Sequence, residues 1–184
     1  LSGTDYLSGL QNMRTFLPLA RKEFERSVRY GHPFSILMID ADNLKPVNER
    51  YGHMYGSTII RHIGEAIARN IRSSDIAARY GGDEFIVLTQ EHGQERLQAL
   101  CEGLRKAITT LPALHLATCH FQITMSLGYA QIDFGKQGFA GAVSRADQAL
   151  YAAKYAGRNK TRGERAEQVL QQFQAAFMAP EAKV

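Results

Sequence analysis

Tryptophan is missing from the 184 residues, and cysteine occurs only at Cys101 and Cys119. Thiols so few and so widely spaced exclude a disulfide framework and a zinc knuckle, and a reducing interior is the simplest setting for the chain. No apolar run approaches the roughly 18 residues that span a bilayer. The opening LSGTDYLSGL has neither the charged nor the apolar region of a secretory leader. Internal repeats and low-complexity tracts are also missing, which excludes a solenoid. What is present is a globular balance, 45% hydrophobic and 22% charged, at a length suited to one domain with a substantial core. The net charge of +4 is spread along the chain, with one denser basic cluster from Lys154 to Arg165. That cluster could face nucleic acid, phosphates or only water. Because the chain starts at Leu1 rather than methionine, it reads as a domain taken from a longer protein.

Periodicity supplies the elements. Met13, Phe16, Leu17, Ala20, Phe24 and Val28 recur at helical spacing and stop at Gly31-His32-Pro33. Phe34–Ile39 is a short continuous apolar run, as expected of a strand buried on both faces, and it runs into Asp40-Ala41-Asp42. Ile59, Ile60, Ile63, Ala66, Ile67 and Ile71 mark one helix face. Ile76–Tyr80 and Phe85–Thr89 form a hairpin with glycines in its turn. Further helices are expected over 93–110 and 139–156, with a strand over 121–131. The order predicts an α+β fold, one sheet with helices packed on it. Beyond Lys160 the pattern changes, and Ala166–Phe177 has helical periodicity. The domain is therefore taken as residues 1–160, followed by a helical tail over 161–184.

The hairpin carries Arg79-Tyr80-Gly81-Gly82-Asp83-Glu84-Phe85. Alone, an acidic turn is usually just solvated. If its strand neighbours the one ending in Asp40 and Asp42, three or four carboxylates converge. Such a cluster is costly unless cations sit among them. Ligands that offer only oxygen suit Mg²⁺ or Mn²⁺, and two such ions would polarise an attacking hydroxyl and stabilise a leaving pyrophosphate. Lys45, Asn48, Lys154 and Arg158 add to the functional reading. Lys154 and Arg158, at i and i+4, are expected to share one helix face.

Taken together, these segments resemble the GGDEF domain of diguanylate cyclases. Asp5-Tyr6-Leu7-Ser8-Gly9-Leu10-Gln11-Asn12 is similar to the family's opening D-x-L-T-G-L-x-N. Asp40 to Asn48 is similar to its D-x-D-x-F-K-x-x-N loop, and Tyr51-Gly52-His53 to the Y-G-H that follows. RYGGDEF is the signature. Ser126-Leu127-Gly128 and Ala146 to Asn159 complete a match from Asp5 to Asn159. The resemblance implies a mostly antiparallel sheet flanked by helices, a ferredoxin-like palm related to nucleotidyl cyclases. It implies two Mg²⁺ or Mn²⁺ ions per site on Asp40, Asp83, Glu84 and the Ala41 carbonyl, with Asp83, Glu84 and Lys45 catalytic. Amides of Asn43, Leu44 and Lys45 would cradle phosphates, Lys154 and Arg158 would hold the triphosphate, and Asn48 and His53 would lie at the nucleotide. The reaction implied is attack of a ribose 3′-hydroxyl on the α-phosphate of a second nucleotide. Two domains must meet, so a homodimer is expected, along with an N-terminal regulatory domain and a bacterial cytoplasmic location.

Departures from the family pattern carry information. Tyr51-Gly52-His53-Met54-Tyr55-Gly56-Ser57 ends in serine where the family usually has aspartate. A carboxylate only accepts, matching the donor edge of guanine, whereas serine donates or accepts and can also face adenine. Ser57 resembles the hybrid promiscuous branch, which takes ATP with GTP and makes cyclic GMP-AMP. The alternative is that Ser57 tolerates guanine and the product is cyclic di-GMP. Leu44 replaces the usual phenylalanine, Glu49 replaces aspartate, and KTRGER matches the family's closing strand poorly. Arg72-Ser73-Ser74-Asp75 stands where relatives carry an R-x-x-D inhibitory product site. Its other reading is an ordinary helix end. A non-catalytic nucleotide sensor is the rival function, against which stand Asp40, Asp83, Glu84 and Lys45, all retained. A template-dependent palm, and with it nucleic acid as a partner, does not fit so small a chain.

Overall fold

The computed structural model describes residues 3–111, 123–132 and 138–164. Its elements run β1 (Gln11–Asn12), α1 (Met13–Tyr30), β2 (Ser35–Asp42), α2 (Leu44–Tyr51), α3 (His53–Asn70), β3 (Ile76–Gly81), β4 (Glu84–Thr89), α4 (Gln94–Thr109), β5 (Thr124–Gln131), α5 (Gly138–Tyr155) and β6 (Thr161–Gly163). The sheet has six strands in the order β1-β3-β4-β2-β5-β6. The four inner strands pair antiparallel, and the two edge strands pair parallel to their neighbours. The unit β2-α3-β3-β4-α4-β5 has ferredoxin-like connectivity, as expected.

All eight residues of β2 are buried, which explains its unbroken apolar run. Alternation sends Leu37, Ile39 and Ala41 into a core shared with α2, α3 and α4. Ile36 and Met38 face the other way, into a core with α1 and α5. By the same alternation Asp40 and Asp42 end the strand on the α1/α5 side. Glu84 shares that face because it is the register partner of Asp40.

The C-terminal edge corrects the boundary drawn at residue 160. Thr161–Gly163 forms β6, parallel to β5, and Leu127 N–H donates to the Lys160 carbonyl at 2.9 Å. A strand of three residues is too short to show alternation, so periodicity could not find it. Residues 121–122 of the expected fifth strand, and the expected tail helix beyond residue 164, lie outside the described residues.

Candidate active site

Three elements end at one corner of the sheet. Asp40, 6% exposed, lies two residues from the end of β2, and its carboxylate accepts from Lys154 Nζ at 2.7 Å. Ala41 N–H donates to the Asp83 carbonyl at 3.1 Å, which ties the hairpin tip to β2. Burial pushes Asp40 up to about 6, aided by the like charges of Asp83 and Glu84 and opposed by Lys154. Glu84 is likewise raised, first by burial, then by Asp147 and Asp83, again against Lys154. The corner therefore holds more carboxylate than its one contacting ammonium neutralises.

Asp42 does not join this cluster, although the sequence suggested it could. It is 2% exposed, and its carboxylate accepts from Ser126 Oγ and Thr124 Oγ1, both at 2.8 Å, and from Asn159 N–H at 3.0 Å. Nor do both turn glycines supply the positive φ that a tight turn needs. Gly82 alone has positive φ, +52°, while Gly81 ends β3 after a bulge at Tyr80.

Lys154 reaches Asp40 because α5 lies almost on the sheet. A Cβ at Gly128 would stand 2.1 Å from Leu150 N and 2.2 Å from the Ala146 carbonyl. The buried alanines of α5, Ala142, Ala146, Ala149 and Ala153, permit this approach. Arg158 is placed differently from the helical expectation. The helix stops at Tyr155, Gly157 is left-handed at φ +107°, and the Gly157 and Arg158 amides turn back to the Lys154 and Ala153 carbonyls. This is the Schellman closure that glycine favours. Arg158 is thus an exposed loop residue just past the helix, not a partner of Lys154 on one helix face.

On the far side of the corner, Asn43 adopts φ +66° and caps α2 without a side-chain hydrogen bond. Amides of the first turn of such a helix lack internal partners and favour anions. Lys45 is exposed in this turn. One helix on, a Cβ at Gly56 would lie 1.9 Å from Asn48 Oδ1, so only glycine lets that amide rest against α3. Asn48 Oδ1 is buried and has no hydrogen-bond partner among the described residues. Ser57, the next residue, donates Oγ–H to the His53 carbonyl at 2.9 Å. His53 itself is exposed at the start of α3.

The family profile described as "Diguanylate cyclase, GGDEF domain" matches residues 2–160. The chain belongs to the GGDEF diguanylate cyclase family. It is 34% identical over 158 residues to diguanylate cyclase DosC of Escherichia coli, covering 86% of this chain and 34% of that protein. It is 35% identical over 157 residues to diguanylate cyclase DgcP of Pseudomonas aeruginosa, covering 85% of this chain and 23% of that protein. The chain thus spans about a third or less of these relatives. Its structure is similar to the GGDEF domain of DgcB from Caulobacter crescentus, solved in complex with c-di-GMP, at TM-score 0.82 and 28% identity, over 90% of this chain and 97% of that one. The family is one of nucleotidyltransferase-type cyclases, and its diguanylate cyclases generally use divalent metal ions.

This GGDEF domain fits such an ion chemically. Asp40, Asp83 and Glu84 offer hard oxygens, burial and mutual repulsion leave them short of positive charge, and an ammonium already sits on Asp40. Among the described residues, no three carboxylate, histidine or cysteine side chains stand together as a self-sufficient metal site. The donor set would therefore need backbone carbonyl and substrate oxygens, as Mg²⁺ commonly does.

Arg72 and Asp75 lie in the α3–β3 loop, at the other end of β3 from the signature. They form a tight turn, with Arg72 N–H donating to Asp75 Oδ2 and Asp75 N–H to the Arg72 carbonyl, both at 3.0 Å. The Arg72 guanidinium pairs with Glu91 at 2.7 Å, and Arg96 approaches the same carboxylate at 3.6 Å. Sequence reasoning missed Glu91, since only the fold brings it to Arg72. It also missed a clasp between Asp5 and Arg79. Arg79 NH1 donates to both Asp5 oxygens at 3.3–3.4 Å, while its Nε and NH2 hold the Gly82 carbonyl at 3.0 and 2.7 Å. No helix among the described residues is long and apolar enough to cross a membrane.

Proposed function

We propose that this domain is a cyclic dinucleotide synthase that joins two nucleoside triphosphates, GTP and, through Ser57, also ATP, into cyclic GMP-AMP and cyclic di-GMP. The observation that carries the reading is the buried Asp40 carboxylate, with Glu84 as its strand partner and Lys154 upon it. Asp40, Asp83, Glu84 and the Ala41 carbonyl would hold two Mg²⁺ or Mn²⁺ ions. When bound, these supply charge for the triphosphate and a more acidic attacking hydroxyl.

The chain's own residues do the positioning. Amides of Asn43, Leu44 and Lys45 receive the β- and γ-phosphates, and Lys154 and Arg158 grip the triphosphate from the α5 side. The ribose 3′-oxygen gives up its proton to solvent water and bonds to the α-phosphorus, and the bond to pyrophosphate breaks. Lys45 offsets charge gathering on the leaving oxygens, while Glu84 orients the attacking hydroxyl. One domain holds one nucleotide, so two copies meet and the transfer occurs twice. Product binding at Arg72 and Asp75 would hold domains apart; an Arg72→Ala variant with unchanged product inhibition would sink that role.

Purine choice rests on Asn48 and Ser57. With its proton on the His53 carbonyl, Ser57 presents lone pairs and accepts from guanine N1–H. Rotated, the hydroxyl donates to adenine N1. The same bond also supports the second reading, a GTP-only cyclase, because the resting rotamer is the acceptor. Incubation with Mg²⁺ and GTP, ATP or both, followed by separation of products, decides between them. The expected outcome is an adenine-containing cyclic product from the mixture. Its absence would leave the GTP-only cyclase, and no cyclic product at all would leave a nucleotide sensor.

A further inference from the structure

We propose that Asp42 is a positioning residue that selects for the triphosphate, by clamping the loop that carries Arg158. The inference rests on the reading that Lys154 and Arg158 hold the triphosphate. Three consecutive residues of this loop, Gly157, Arg158 and Asn159, have positive φ, at +107°, +61° and +47°. Arginine does not hold that conformation unaided, since its Cβ crowds the following carbonyl. Something on either side must fix it.

Both restraints converge on Asn159. Its N–H enters the buried Asp42 carboxylate at 3.0 Å, which anchors the loop to the end of β2. Its side-chain Oδ1 receives Arg105 NH1 at 2.6 Å, and Arg105 is itself held by Glu102 at 2.8 and 3.0 Å. Asn159 is therefore pinned between β2 and α4, and the exposed Arg158 directly precedes the pin. Ser126 and Thr124 complete the donor shell of Asp42, so its charge is satisfied and is not turned toward the Asp40 corner. Without the Asp42 anchor, the backbone of Arg158 relaxes to negative φ and its side chain leaves the phosphate side. The base site, on α2 and α3, is untouched by this change.

The test compares the affinity of the chain for a non-hydrolysable GTP analogue and for GMP by titration calorimetry. Asp42→Asn should weaken triphosphate binding about tenfold, the loss of one charge-assisted contact, and leave GMP binding unchanged. Ser126→Ala removes a different donor to the same carboxylate. It should lower the melting temperature yet keep the preference for triphosphate. Arg105→Ala releases Asn159 from α4, the exposed side of the clamp, and should reproduce the selective loss, which covers the case of an Asp42→Asn protein that does not fold. Wild-type preference in either clamp variant would overturn the inference, as would equal loss of both nucleotides. Lys154→Ala separates the levels. If it binds the triphosphate undiminished, the phosphate reading itself falls, and this inference with it. If it binds weakly while the clamp variants do not, only the clamp is wrong.

Discussion

Ser57 spends its proton within its own helix, on the His53 carbonyl one turn back, and faces outward as a neutral acceptor. Aspartate at this position would face outward as a charged one. A charge-assisted hydrogen bond contributes about 1.5–3 kcal/mol, roughly twice a neutral one, so the exchange is worth about a decade of preference for guanine. Ser57→Asp is therefore expected to abolish adenine-containing product in a GTP and ATP mixture while keeping cyclic di-GMP. Product chromatography reads the outcome, and continued formation of the mixed product would refute the assignment. The neighbouring Gly56 shows how little room surrounds this choice, because any side chain there would collide with the Asn48 amide. Among single residues, the convergence of Asp40 with Glu84 was legible from motif spacing. Glu91, Arg79 and the true partners of Asp42 were not, because each acts through a residue 19 or more positions away.

Helices and strands place these residues through two contacts. The first is α5 against β5 at Gly128. The atoms in the way of a Cβ there are backbone of α5, which cannot swing aside. Gly128→Ala should cost about 1–3 kcal/mol, the usual penalty of overpacking, and lift Lys154 from Asp40. A fall in melting temperature together with weaker triphosphate binding would show both effects. Gly81→Ala, with nothing within 4 Å of its Cβ and no positive φ, serves as the tolerated comparison.

The second contact is the clasp of Asp5 with the hairpin through Arg79. Burial disfavours the charged Asp5, but hydrogen bonds from Ser8 and the nearby Arg79 outweigh it, so its pKa is lowered. A group lowered on folding stabilises the native state above its unfolded value. That contribution is lost as pH falls through the folded one. In urea titrations, the excess stability of wild type over Asp5→Asn should persist from pH 7 to 5 and shrink below about pH 4. A difference that does not change with pH would show that the carboxylate's charge contributes nothing. Most element boundaries were readable, since periods of 3.6 and 2 survive in the burial of each face. The end of α5 was read to within one residue, but the shared face of Lys154 and Arg158 was not there, because a Schellman closure is geometry that the i, i+4 count overlooks.

Across the whole molecule, the proposed function puts one nucleotide site on each domain, which would make the reaction bimolecular in protein. Product formation per domain should rise with domain concentration and saturate, and a rate per domain independent of dilution would contradict head-to-head transfer. Both the Asp5 clasp and the acidic corner meet at the hairpin, where β1 also pairs with β3.

The order of apolar runs was enough to determine the α+β class, the buried central strand and the signature hairpin, because local periodicity and motif spacing are properties of the chain itself. Only the tertiary structure decided that Asp40 pairs with Glu84 and Lys154 while Asp42, two residues on and on the same face, turns to Ser126, Thr124 and Asn159. Alternation along a strand says which face a carboxylate takes. The donors waiting on that face come from β5 and the α5–β6 loop, more than 80 residues away, and they decide what the charge does.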